Sequence, residues 1–105
     1  MILSDFVLLD ANSGADSNPW YMPPEATQIT IQVTGAQDSL WIMGLVDEMD
    51  SDYVNLATIN LTDFSVSSEI TQDGIYAIGV SGIKSIIAEY GGQEGEVKVY
   101  GVCEG

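Results

Sequence analysis

Ile29-Thr30-Ile31-Gln32-Val33-Thr34 alternates apolar and polar side chains without a break. Successive side chains of an extended chain point to opposite faces, so Ile29, Ile31 and Val33 share one face and Thr30, Gln32 and Thr34 the other. This is the pattern of a strand lying between a core and solvent. Working outward, the same period returns in Phe64, Val66 and Ile70, opposite Ser65, Ser67 and Glu69. It returns again in Val97, Val99 and Cys103, opposite Glu96 and Lys98. Less polar strands are expected at Leu40 to Val46, Tyr53 to Leu61, Ile75 to Val80 and Ile83 to Tyr90. Turn chemistry separates them at 35–38, 47–52, Asp73-Gly74, Ser81-Gly82 and 91–95. No helical period of useful length competes. The pattern predicts an all-β fold: an antiparallel β-sandwich, jelly-roll or immunoglobulin-like, of about seven or eight strands.

All three prolines fall within Pro19-Trp20-Tyr21-Met22-Pro23-Pro24, and none follows Pro24. A proline-free stretch suits strands that use every backbone donor. The chain is therefore expected to divide into an extended N-terminal arm with a Pro/aromatic loop, residues 1–24, and a β-sandwich domain, residues 25–105. Within the arm, 11–18 has loop composition, while Asp5 to Asp10 fits an isolated strand or an extended segment.

Sixteen Asp and Glu stand against two Lys, with no Arg and no His, a formal charge of −14 on 105 residues. Apolar residues nonetheless make up 46%, so the chain is expected to fold rather than behave as an acidic disordered tail. Without His there is no imidazole base or ligand, and without Arg no bidentate grip on phosphate. Two lysines cannot displace the counterions of a nucleic acid or hold an anionic membrane, so neither is an expected partner. Serine nucleophiles would have only Lys84 and Lys98 as bases. No catalytic or cofactor-binding residue is assigned, and an enzyme is not expected.

The densest acidic run holds Asp47, Asp50 and Asp52, a weak calcium candidate. It lacks the turn glycine and the twelfth-position glutamate of an EF-hand loop, so a solvated hairpin is the simpler expectation. The lone Cys103 is expected to be buried. The longest apolar run, Phe6 to Leu9, is far short of the roughly 20 residues a spanning helix needs. Met1-Ile2-Leu3 is interrupted by Ser4 and Asp5 with no basic residue ahead, so export by an amino-terminal signal is not expected.

Candidate contact residues are found where charge is missing. Trp20, Tyr21 and Met22, stiffened by prolines, present low-entropy contact area or else plug one end of the sandwich. Leu40 to Val46 is apolar at both parities, which singles out Trp41 and Met43. Ile83 to Ala88 behaves alike and adds Ile83 and Ile86. Such strands are either covered by the arm or packed on a neighbouring subunit.

The run from Ile29 onward resembles small β-sandwich virion structural proteins of tailed bacteriophages. The resemblance is carried by Val33-Thr34-Gly35, by the acidic loop 47–52, and by Tyr53-Val54-Asn55-Leu56-Ala57-Thr58-Ile59. It continues in Gly74-Ile75-Tyr76, in Gly82-Ile83-Lys84-Ser85-Ile86-Ile87-Ala88, and in the Gly-rich hairpin 91–95 before Val97 and Val99. Arginine often follows the "I-x-A" isoleucine in that pattern; here Ile87 stands in its place. The resemblance implies a capsid decoration or auxiliary head or neck protein, made in the host cytoplasm and located on the capsid exterior or neck. Its implied partners are the major capsid protein or another virion protein and its own copies, with a trimer favoured. Two other classes remain in view. One is a receptor- or glycan-binding module of a fibre or neck, resting on Trp20, Tyr21 and Trp41. The other is an acidic DNA-mimic inhibitor, which needs carboxylates spaced along a face rather than concentrated in loops.

Overall fold

The computed structural model describes residues 1–10, 14–46 and 52–105. Their ten strands are β1 (Ile2–Leu9), β2 (Trp20–Tyr21), β3 (Gln28–Thr34), β4 (Leu40–Leu45), β5 (Val54–Asn55), β6 (Thr58–Asn60), β7 (Val66–Ser67), β8 (Gly74–Gly79), β9 (Ser85–Tyr90) and β10 (Lys98–Glu104). The larger sheet has the order β1-β10-β3-β8-β6-β7 and the smaller β2-β9-β4-β5. Every pairing is antiparallel. The result is the β-sandwich that the alternation predicts.

Strand β3 lies deepest. Ile29, Ile31 and Val33 are fully buried while Gln32 and Thr34 face water. Val99 and Cys103 of β10 and Tyr76 and Ile78 of β8 flank them on the same inner face. Leu40 and Ile42 of β4 and Ile86 and Ala88 of β9 complete the core from the smaller sheet. Complete burial of such aliphatic side chains stabilises the fold by about 1.5–3 kcal/mol each. Cys103 is buried, as expected, and burial pushes its thiol pKa up.

Three segments depart from the simple alternation. The stretch Tyr53 to Leu61 is not one strand: β5 pairs with β4 in the smaller sheet, and β6 pairs with β8 in the larger. The chain crosses between sheets at Leu56, whose N–H donates to the Ile42 carbonyl at 2.8 Å and whose side chain packs on the core. Phe64, Val66 and Ile70 do not share a face. Phe64 and Val66 are exposed, whereas Ile70 is buried and bridged to Leu40. The cause is a tight turn in which Phe64 takes φ 61°, followed by a strand only two residues long.

The third departure concerns residues 1–24. Ile2–Leu9 pairs along β10, with register shifts between Ile2 and Ser4 and between Val7 and Leu9. Each shift turns an extra side chain inward, so Leu3 joins Phe6, Leu8 and Leu9 against the core. Residues 15–21 run along β9 instead. Ser17 N–H donates to the Ala88 carbonyl at 2.9 Å, Ser17 Oγ accepts from Ala88 N–H at 2.7 Å, and Trp20 pairs with Ile86. The described residues of the segment thus supply one edge to each sheet, and Asp16 borders the outer face of β4 beside Met43. Phe6 stacks on Trp20 at 4.3 Å between ring centroids, joining the two edges.

Two glycines are dictated by close approach. A Cβ on Gly35, at φ +82°, would lie 2.3 Å from the Glu96 carbonyl oxygen. The N–H groups of Gly35 and Ala36 donate to the Asp73 carboxylate at 3.1 and 2.8 Å, which gives Val33-Thr34-Gly35 a physical reason. A Cβ on Gly101 would lie 2.5 Å from Phe6 Cζ and 2.9 Å from the Thr30 carbonyl oxygen. Gly101→Ala is therefore expected to cost about 1–3 kcal/mol, because the Thr30 backbone cannot yield as a side chain can. A urea unfolding midpoint equal to that of the parent chain would contradict this packing.

Tyr90 hydroxyl donates to the Glu96 carboxylate at 2.5 Å and accepts from Gln37 N–H at 2.9 Å. Burial, reinforced by Glu96, raises its pKa above the ordinary tyrosine value, and burial with Asp63 and Asp73 nearby does the same for Tyr76. A raised native pKa means this stabilisation is complete below the unfolded value of about 10 and is lost as pH climbs through the native values. Tyrosinate absorbance is expected to show late-ionising groups, one of which disappears in Tyr90→Phe. An unchanged titration curve in that variant would count against the buried Tyr90–Glu96 contact.

Candidate interaction surfaces

Charge is distributed unevenly over this frame. Within the ten strands only Asp5, Glu89, Lys98 and Glu104 are charged, so the remaining described acids lie in connections. Asp63 shows how a connection holds one: its carboxylate accepts from Ser65 N–H at 2.9 Å and Ser65 Oγ at 2.7 Å, bonds that lower its pKa.

The residues singled out from the sequence fall in two regions. Trp20, Tyr21, Met22, Ile83 and Ile86 gather where β2 meets β9. Tyr21 is exposed, while Trp20, Met22 and Ile83 are half-buried against the core. Ile86 is fully buried and offers no outer surface, because its side chain points between the sheets. Trp41 and Met43 are half-buried on the outside of the smaller sheet, where they pair with Glu89 and Ile87. A shallow cavity of about 530 Å³ lies there, lined by Asp16, Met43, Asp52, Tyr53, Ile87 and Glu89. Tyr53 hydroxyl meets Ser85 Oγ at 2.8 Å behind it. Asp47 and Asp50 of the calcium candidate lie outside the described residues, and Asp52 is exposed. No group of three or more metal-ligating side chains occurs among the described residues.

A larger apolar surface covers the outside of the six-stranded sheet, and none of the singled-out residues lies on it. One cross-strand row reads Val7, Tyr100, Gln32, Ile75, and continues to Leu61, whose N–H donates to the Ile75 carbonyl at 2.9 Å. The next reads Asp5, Val102, Thr30, Ala77, Ile59, Val66. Val7 is 54% exposed, Tyr100 and Ile75 46%, and Val66 65%, so these side chains face water rather than another element. Val7, Tyr100, Val102, Thr30, Gln32 and Ile75 line a broad groove of about 670 Å³. The signal for this surface was present in Val99-Tyr100-Gly101-Val102-Cys103 and Ile75-Tyr76-Ala77-Ile78, which are apolar at both parities.

Phe64 stands at the hairpin tip beside this surface, 73% exposed in the left-handed backbone region. Its N–H donates to the Asn60 carbonyl at 2.7 Å, which holds the turn. An aromatic residue is disfavoured there and asparagine tolerated. Phe64→Asn is expected to stabilise the isolated chain by about 1 kcal/mol. A lowered melting temperature would show that the ring contributes packing that offsets the backbone strain.

Solved structures that share this fold include two prophage proteins. The SPBc2 prophage-derived protein YomS superposes with a TM-score of 0.81 at 19% identity, covering 95% of this chain and 90% of its own. The PBSX exported protein XepA superposes with a TM-score of 0.83 at 18% identity over 95% of this chain. That match covers 37% of XepA, so the chain spans little more than a third of that protein's length. At these identities the likeness establishes the fold. No family model and no curated protein matches the sequence.

Proposed function

We propose that the chain is a non-enzymatic phage virion structural protein, an outward-facing capsid decoration or auxiliary protein. It binds the capsid and its own copies through apolar sheet faces. The observation that carries this reading is the outer face of the larger sheet, which stays apolar and nearly free of charge in a chain of net charge −14. Large exposed apolar faces mark interaction sites. Acidic connections suit the solvent side of a particle and are repelled by packaged DNA. The phage setting is supported by the shared fold with prophage proteins, one of them over nearly its whole length.

Glycan binding is less well supported, because Trp20 is half-buried and spends one ring face on Phe6. DNA mimicry is disfavoured by strands that carry only four charged residues. The deciding experiment is quantitative mass spectrometry of gradient-purified particles of the encoding phage. The chain is expected at an abundance comparable to known virion components. Its absence from particles, with the protein present in the infected lysate, would refute the proposal.

A further inference from the structure

We infer that the outer face of the larger sheet docks a second copy of this chain face to face, with the strands of the two copies running in opposite directions. This rests on the reading of that face as a contact surface and names its occupant. The outward side chains of β10 read Lys98, Tyr100, Val102, Glu104: a cation, two apolar groups, an anion. A two-fold axis crossing the strands between the Tyr100 and Val102 rows brings Lys98 opposite Glu104 of the second copy, and the reverse. The same rotation lays the bulky row of Tyr100, Ile75 and Leu61 against the slighter row of Val102, Ala77 and Ile59. A surface that complements itself under one rotation is what an isologous dimer requires.

Size and charge agree with this occupant. The 33 residues of the sheet's six strands, each covering about 4.8 Å by 3.3 Å, span roughly 500 Å² of flat face per copy. Two such faces bury on the order of 1,000 Å², the range in which specific interfaces begin. Copies of net charge −14 repel. The strands of this sheet carry Asp5, Lys98 and Glu104, one net negative charge, whereas the outer face of the smaller sheet is lined by Asp16, Asp52 and Glu89. One of the chain's two lysines is placed on the larger sheet. Salt screens the repulsion between the acidic connections, so association strengthens with ionic strength. A basic partner on the same face would show the opposite trend.

Sedimentation velocity of the full chain across concentration and salt tests the inference. The parent chain is expected to dimerise, more tightly at high salt. Tyr100→Glu and Ile75→Glu are each expected to weaken the dimer at least about tenfold, with circular dichroism confirming the fold. Lys98→Glu weakens it, and Glu104→Lys weakens it too, although that change lowers the net charge. The double exchange restores association to within about threefold of the parent. A chain that stays monomeric throughout overturns the inference, as does an assembly indifferent to Tyr100→Glu and Ile75→Glu. Tighter association of Glu104→Lys also overturns it, because that is what charge reduction alone produces. A monomer still found in purified particles refutes the second copy and leaves the virion role standing; a dimer absent from particles does the reverse.

Discussion

Fourteen net negative charges on 105 residues oppose compaction, and the fold meets that constraint by keeping all but three of the described carboxylates out of its strands. With so few charged residues in the two sheets, both faces of several strands become apolar. The inner faces close on one another around Ile29, Ile31 and Val33. Among the described residues no second layer covers the outer faces, which remain as Val7, Tyr100 and Ile75 on one side and the half-buried Trp41 and Met43 on the other. Core, acidic surface and candidate interfaces all follow from one segregation.

The segment before β3 turns this arrangement into a closed unit. It contributes one edge strand to each sheet, and the stack of Phe6 on Trp20 ties those edges together. The stack requires that β10 make room for the Phe6 ring, which Gly101 does. At the other end, Asp73 receives the Gly35 and Ala36 N–H groups and fixes the exit of β3. Local chemistry at a few positions therefore sets the boundaries of a core that is otherwise generic aliphatic packing.

The period-two alternation made the sandwich legible, most clearly in β3, where polarity and burial coincide residue by residue. It failed where a strand has polar neighbours on one side only. Phe64 and Val66 keep the period, but Phe64 sits in a tight turn and Val66 on a two-residue edge strand, so both are exposed. The division at residue 24 followed proline content, which marks a connection but says nothing of the strand before it; Phe6, Leu8 and Leu9 are core residues. The larger outer face was only partly legible, through the doubly apolar runs Val99 to Cys103 and Ile75 to Ile78. Tyr100 and Val102 look like ordinary strand residues until register sets Ile75, Val7 and Ile59 beside them. Cross-strand adjacency is a tertiary fact, and a single sequence does not display it.

As proposed above, this acidic sandwich makes its contacts through the sparsely charged outside of its six-stranded sheet. Hydroxyl-radical footprinting of the protein at low and at high concentration tests that claim most directly. Tyr100 and Ile75 are predicted to lose reactivity as the protein assembles, while Tyr21, more exposed in the isolated chain and on the opposite sheet, keeps it. If Tyr100 and Ile75 remain as reactive in the concentrated protein as in the dilute one, that face is not the contact surface.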